Sequence, residues 1–308
     1  MGDTILTALF FADDLVLITE GKKNRMNQLL STVQKYCKNT KMTLAVGKTY
    51  VLTNGDMDQE WEAGGEESLK EVIEAKYLGI DIKVRGRNPT KTKEQKMINQ
   101  AQAKAYTILN LTREGINRAK IARTLWETCV VPAVLYATDI MIMKEGVIKE
   151  LDKIQRVIGR FITQVPKSTA TAAVEVEAGL IPFRFRIMER RLNFYRRIMM
   201  KSPKELVFKV LKSMTTEDTW LEKVMEDIKK VGGRDALKNK KMVKEAVRQL
   251  AKEEISTEIK GKRSLESLPL PAYWFKLQPH VTDEKWSKWI CRTRVGNSGL
   301  GNRGKNKN

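Results

Sequence analysis

The chain has 308 residues, with 57 Lys+Arg against 37 Asp+Glu and a formal net charge of +20. That length bounds one to two domains, and 42% hydrophobic with 31% charged residues fits a folded chain, not a disordered one. Three cysteines (Cys37, Cys129, Cys291) and one histidine (His280) exclude a disulfide scaffold and a zinc ribbon, and leave little basis for histidine-centred catalysis.

In chain order, residues 8–11 and 15–18 read as buried strands, with the acidic pair Asp13–Asp14 at the turn between them. Met26, Leu29, Leu30, Val33 and Cys37 recur at helical spacing and predict an amphipathic helix over 25–39. Short strands are predicted at 42–46, 50–53 and 77–84. Residues 54–67, acidic and glycine-containing, read as a loop.

Beyond residue 90 the pattern is helical. Helices are predicted at 91–112, 117–129, 132–143, 146–163, 170–178, 183–201, 203–213, 217–231 and 238–259, with Pro132, Pro166, Pro182 and Pro203 at the breaks. Residues 268–274 (LPLPAYW) form a proline-containing linker, and the Gly/Asn/Lys-rich tail 296–308 is expected to be disordered. No run approaches the roughly 18 apolar residues of a transmembrane helix. The first eleven residues carry Asp3 and lack the positive flank of a signal peptide. An intracellular protein without a membrane partner is expected, nucleus or cytoplasm being left open.

The charge is uneven. Residues 1–82 are net −4 and residues 83–308 net +24, which places a boundary between an acidic and a basic module near residue 82. A long basic block, 184–212, holds ten Lys/Arg against Glu189 and Glu205, interleaved with Phe185, Phe194, Tyr195 and Phe208. Two readings stand side by side. The block is an amphipathic core helix with a basic solvated face, or it is a surface that contacts phosphates and releases their counterions.

Adjacent carboxylates at the tip of an apolar hairpin repel each other. A divalent cation removes that cost, and magnesium suits one or two carboxylates plus substrate phosphates; an acidic turn in water is the alternative. With strand-like runs on both sides, FFADDLVLIT (10–19) resembles the catalytic hairpin of reverse transcriptases. The downstream order resembles the branch of that family found in non-long-terminal-repeat retrotransposons. Lys48–Thr49 follows the predicted helix, and Tyr77–Leu78–Gly79–Ile80 comes next. VVPAVLYATD (130–139), LDKIQRVIGRFI (151–162) and VPKSTATAAVEVEAGLIP (165–182) complete the series. The likeness covers roughly residues 5–213 and is specific because several motifs occur in the family's order.

The resemblance implies an α+β fold. Residues 1–84 would be a small partial palm sheet with a helix, 85–213 a helical thumb-like region, 214–295 a C-terminal helical region and 296–308 a basic tail. It implies Mg2+-dependent, template-directed nucleotidyl transfer, with an RNA template, a DNA primer and no small-molecule cofactor. Asp13 would be a metal ligand and Asp14 its supporting partner, also counted as a ligand. Lys48 would act on the leaving pyrophosphate, and Tyr77, Leu78 and Gly79 would hold the primer end. Ala45 departs from the asparagine the family places three residues before its lysine.

The family also uses an earlier palm aspartate and nucleotide-binding fingers. Nine residues precede Phe10, and Asp3 is their sole acid. The chain is therefore expected to begin within the palm, to need the missing N-terminal part of the same element, and to be inactive alone. His280 and Cys291 stand apart from the family's Cys/His knuckle. The alternative is a non-catalytic RNA- or DNA-binding helical module, or a decayed relic. In that module Arg184, Arg186, Arg190, Arg191, Arg196 and Arg197 would contact nucleic acid.

Overall fold

The two apolar runs around the acidic pair form an antiparallel hairpin of β1 (Ala8–Phe11) and β2 (Asp14–Leu17), in register Ala8↔Leu17 to Phe11↔Asp14. The computed structural model describes residues 7–20, 23–54, 61–62, 68–83, 89–114, 117–215 and 219–260. The tail 296–308, the linker 268–274, His280, Cys291 and most of the expected loop 54–67 lie outside the described residues. The fold is α+β: small sheets near the N-terminus, then a mostly helical remainder. The chain divides into two units, 1–93 and 94–308.

In the first unit, helix α1 (Lys23–Thr40) matches the predicted amphipathic segment and contributes Leu30 to a small core with Val51, Trp61 and Leu69. Leu17, Met26 and Val46 pack against that core, which ties the hairpin to the helix. β3 (Tyr50–Val51), β4 (Trp61–Glu62) and β5 (Ser68–Glu71) form a three-stranded sheet in the order β3-β5-β4. β3 runs parallel to β5 and β4 antiparallel to it.

The strand expected at 42–46 is absent; the chain makes a 3-10 turn over Val46–Lys48 instead. The single strand expected at 77–84 is two strands, β6 (Glu74–Tyr77) and β7 (Ile80–Lys83). Between them Leu78 (φ 46°) and Gly79 (φ 76°) are both left-handed, as a type I′ two-residue turn requires.

The second unit is built from nine helices among the described residues. α2 (Pro89–Thr112) places Ala101, Ala105 and Ile108 inward at helical spacing. α3 (Arg118–Leu125) runs into a π turn, Trp126–Val130, and then α4 (Val131–Val134). Pro132 explains the widened turn. It has no N–H for the Thr128 carbonyl and its ring would strike that oxygen, so the ladder opens and Val131 N–H reaches Trp126 O.

The predicted helix 132–143 therefore ends at Val134. Ala137 adopts φ 60°, and Trp220 donates to Asp139 O at 2.9 Å, fixing the turn that follows. The apolar pattern that suggested a helix is still used, because Val134, Leu135, Ala137 and Met143 are buried.

The remaining helices are α5 (Glu145–Thr163), α6 (Thr171–Ala178), α7 (Phe183–Met199), α8 (Leu206–Ser213), α9 (Thr219–Lys230) and α10 (Lys240–Lys260). α8 starts later than expected because Ser202–Glu205 closes as a local turn, Glu205 N–H donating to Ser202 O at 2.9 Å, and Glu205 itself is extended. Within that turn Ser202 N–H donates to Glu205 Oε1, and Lys204 N–H to Ser202 Oγ. One core runs from Met97 to Ile259, so residues on both sides of 213 share it.

α5 and α6 pack closely at Gly159. A Cβ there would lie 2.7 Å from Val174 Cγ1 and 3.1 Å from Leu180 Cδ1. Gly159→Ala is expected to cost about 1–3 kcal/mol by overpacking. A lowered urea midpoint at unchanged slope would show it, and an unchanged midpoint would mean that α5 and α6 do not meet there.

Candidate functional site

The carboxylate pair sits at the tip of the β1–β2 hairpin. The loop is two residues, Ala12 and Asp13, and Ala12 holds φ 54°, a position that favours glycine. A non-glycine residue there costs on the order of 1–3 kcal/mol, and such strain clusters where a turn presents a side chain for use. Asp13 and Asp14 are both exposed, as are Phe10 and Phe11 beside them.

Lys48 is exposed at the end of the 3-10 turn, where its N–H donates to Ala45 O and Thr49 Oγ1 donates to the same oxygen. Ala45 thus supplies a backbone carbonyl to the Lys–Thr segment. Tyr77, Leu78 and Gly79 form the end and turn of the β6–β7 hairpin. β1–β2 and β6–β7 are separate two-stranded ladders, so hydrogen bonding does not bring the carboxylates and the Tyr-Leu-Gly turn into one sheet.

A metal ion would find two exposed carboxylates at the tip. Among the described residues no three His, Cys, Asp or Glu side chains converge. A two-metal centre asks for more carboxylate than Asp13 and Asp14 supply. The pair suits a single Mg2+ held mainly by water and substrate phosphate.

The six arginines of α7 separate into different roles. Arg186 is a structural residue: its guanidinium pairs bidentately with Glu127 at 2.9 and 2.6 Å, and its Nε donates to Ile181 O. Arg191 is buried against Asp227 at 2.8 Å, with side chains 5% and 2% exposed. Burial pushes the Asp227 carboxyl up and the Arg191 guanidinium down, each opposed by its partner's charge. The expectation that Arg186 and Arg191 contact nucleic acid is therefore corrected, since both donors are committed inside the protein.

Arg184 pairs with Glu254 at 3.0 Å, half-exposed, and stacks over Phe185. Arg197 is exposed, 3.8 Å from Asp139 and over the Phe194 ring. Arg196 is half-buried and donates to Met200 Sδ. Arg190 is exposed, with no ion pair among the described residues. Arg184, Arg190 and Arg197 remain presentable to a phosphate.

A buried polar network escaped the sequence reading, although the segment 151–162 contains its centre. Asp152 accepts the Phe183 N–H at 2.7 Å and so caps α7 from α5. Desolvation pushes its carboxyl up despite that bond. Gln155 accepts from Trp126 Nε1 and donates to Ile181 O. Arg123 donates to Ala178 O and Gly179 O, closing the end of α6. Arg156 lies 3.5 Å from Glu175, whose carboxyl burial pushes up to about 8, the nearby Asp152 charge adding to the effect. Asp152 and Gln155 share the buried side of α5 with Leu151, Ile158 and Ile162. Polar residues at core spacing were the available signal.

Comparison of the chain with protein-family models, curated proteins and solved structures finds no match. Among the described residues, no helix is long and apolar enough to cross a membrane.

Proposed function

We propose that this chain is the carboxylate-hairpin and thumb-like part of a reverse transcriptase of the non-long-terminal-repeat retrotransposon type. The observation that carries the reading is Asp13 at the exposed tip of a strained two-residue turn between β1 and β2. The order of the downstream motifs supports it: Lys48–Thr49, the Tyr77–Leu78–Gly79 turn, and the segments 130–139, 151–162 and 165–182. Asp13 would hold Mg2+ with Asp14 in support, and Lys48 would meet the leaving pyrophosphate. RNA template and DNA primer are the proposed partners. The two carboxylates fall short of a two-metal centre, so no extension by the 308-residue chain alone is expected.

Fusion tests the reading. The fingers and earlier palm of an active enzyme of this type, joined upstream of Ala8, should restore Mg2+-dependent extension of a primed RNA template. Asp13→Ala in that fusion should reduce it by at least about a hundredfold, the scale of removing an electrostatic contact to the transition state. The same upstream segment joined to its native continuation is the positive control. Activity indifferent to Asp13→Ala, or none beside an active control, would refute the proposal.

A second reading, a non-catalytic nucleic-acid-binding module, is favoured by the exposed Arg190 and Arg197 and the net +24 of residues 83–308. Binding of a primed template by the unfused chain, with affinity falling steeply as salt rises, is its expected mark.

A further inference from the structure

Among the described residues of the helical unit, the densest group of exposed cations lies outside every motif used so far. Residues 229–244 carry seven Lys/Arg against one acid, Asp235, and all seven cations are exposed. Lys229 and Lys230 end α9. Gly232 (φ 88°) and Gly233 (φ 96°) turn the chain, and Gly233 N–H closes the helix on Ile228 O at 2.8 Å. A 3-10 turn, Arg234–Leu237, leads to Asn239, whose Oδ1 accepts the Met242 N–H and caps α10. Val231, Ala236 and Val243 are buried beneath this corner, so the cations stand on packed backbone.

α9 obeys the helix dipole, with Glu222 in its first turn and Lys229 and Lys230 in its last. α10 opens on Lys240 and Lys241 with no acid in its first turn, as α3 and α7 also open on cations. What sets the corner apart from an ordinary solvated face is how little of its charge is neutralised. Lys238–Asp235 (3.0 Å) and Lys241–Glu245 (3.8 Å) are exposed pairs. Lys229, Lys230, Arg234, Lys240 and Lys244 carry no ion pair among the described residues. On α7, by contrast, Arg186 and Arg191 are committed inside and Arg184 and Arg197 face acids.

The chemistry of the corner selects its partner. Binding to a bilayer surface combines cations with inserted apolar side chains. No large hydrophobic side chain of the described residues 219–260 is exposed. Nor is an exposed aromatic ring available there to stack a base. What remains is contact with the phosphate backbone, which positions a nucleic acid without reading its sequence.

We infer that the α9–α10 corner is a docking surface for the nucleic-acid backbone, with Lys230, Arg234, Lys240 and Lys244 meeting successive phosphates. This rests on the reading of the chain as nucleic-acid-binding and adds where the strand runs, outside the 5–213 stretch that carries the motifs.

The test uses the full 308-residue chain, a short mixed-sequence RNA–DNA duplex and fluorescence anisotropy across a salt series. Lys230→Gln, Arg234→Gln, Lys240→Gln and Lys244→Gln combined should weaken binding about tenfold or more. The combination should also reduce the log–log salt slope by about 3 to 4, near 0.9 per phosphate contact removed. Arg190→Gln with Arg197→Gln is the comparison, and circular dichroism establishes that both variants keep the helical content of the parent. Parent-like affinity in the corner variant would overturn the inference while leaving nucleic-acid binding intact. A parent chain that binds no duplex at low salt would sink the binding reading and the corner with it. Corner-dependent binding to phosphatidylserine vesicles without duplex binding would assign the surface to lipid instead.

Discussion

Asp227→Ala is expected to destabilise the helical unit by about 3–5 kcal/mol, the cost of leaving a buried charge without its partner. Arg191 reaches Asp227 across α7 and α9 at 2.8 Å, and its Nε already lacks an acceptor among the described residues. Removing the carboxylate leaves the guanidinium without its acceptor against the buried side of α9, which also carries Val224 and Ile228. Against the 5–15 kcal/mol that holds a typical domain, this loss is a large fraction of the whole. Replacing both groups, Arg191→Met with Asp227→Leu, should return stability to near the parent, because an apolar pair of similar volume removes both desolvation costs. Urea unfolding of the three chains measures this. A single variant within about 1 kcal/mol of the parent would mean that the pair is open to water, where such bridges contribute little.

Glu175 should make stability depend on pH. Its carboxyl is buried on α6 and pushed up to about 8 from an ordinary 4.5, chiefly by desolvation. A carboxyl whose folded value is raised binds its proton more tightly in the native state. Its contribution is fully present below about 4.5 and is lost as pH rises through about 8. The full span corresponds to roughly 5 kcal/mol as an upper bound, at 1.36 kcal/mol per pH unit. Melting temperature should therefore fall from pH 5 towards pH 9. Glu175→Gln keeps the shape and removes the titration, so it should flatten that slope and exceed the parent in stability at the alkaline end. Parallel slopes in parent and variant would show that Glu175 ionises without hindrance.

The sequence made the helices legible where apolar spacing was regular, as in α1, α2, α5 and α7. It misled at 132–143, where the apolar pattern suggested a helix that stops at Val134. Pro132 widens the preceding turn, and Ala137 then leaves the helix. The carboxylate hairpin was legible in outline because turn chemistry is local, but the turn is Ala12–Asp13, Asp14 already pairs with Phe11, and Phe10 and Phe11, expected to be buried, are exposed.

The α7 arginines were only half legible. Arg191 stands between Met188, Leu192 and Tyr195 on the buried stripe, which a helical projection would have flagged. Its partner lies 36 residues further on, a distance over which periodicity is silent. Glu127 is more remote still from Arg186, 59 residues away. The basic corner was passed over for another reason. Counting charge along the chain favoured the longer block 184–212, and only exposure shows how many of those cations are already committed inside the protein.

The two cores differ greatly in size. Leu30, Val51, Trp61 and Leu69 hold the unit that bears Asp13, whereas dozens of buried side chains hold the helical unit. The hairpin consequently sits at the low end of the chain's local stability scale, where opening is easiest and where moving parts are usually found. Each core also has its own indole, Trp61 in the small one and Trp126 in the large one. A fluorescence melt of this chain, which has six tryptophans, thus reports on both cores at once, and one midpoint would not describe it.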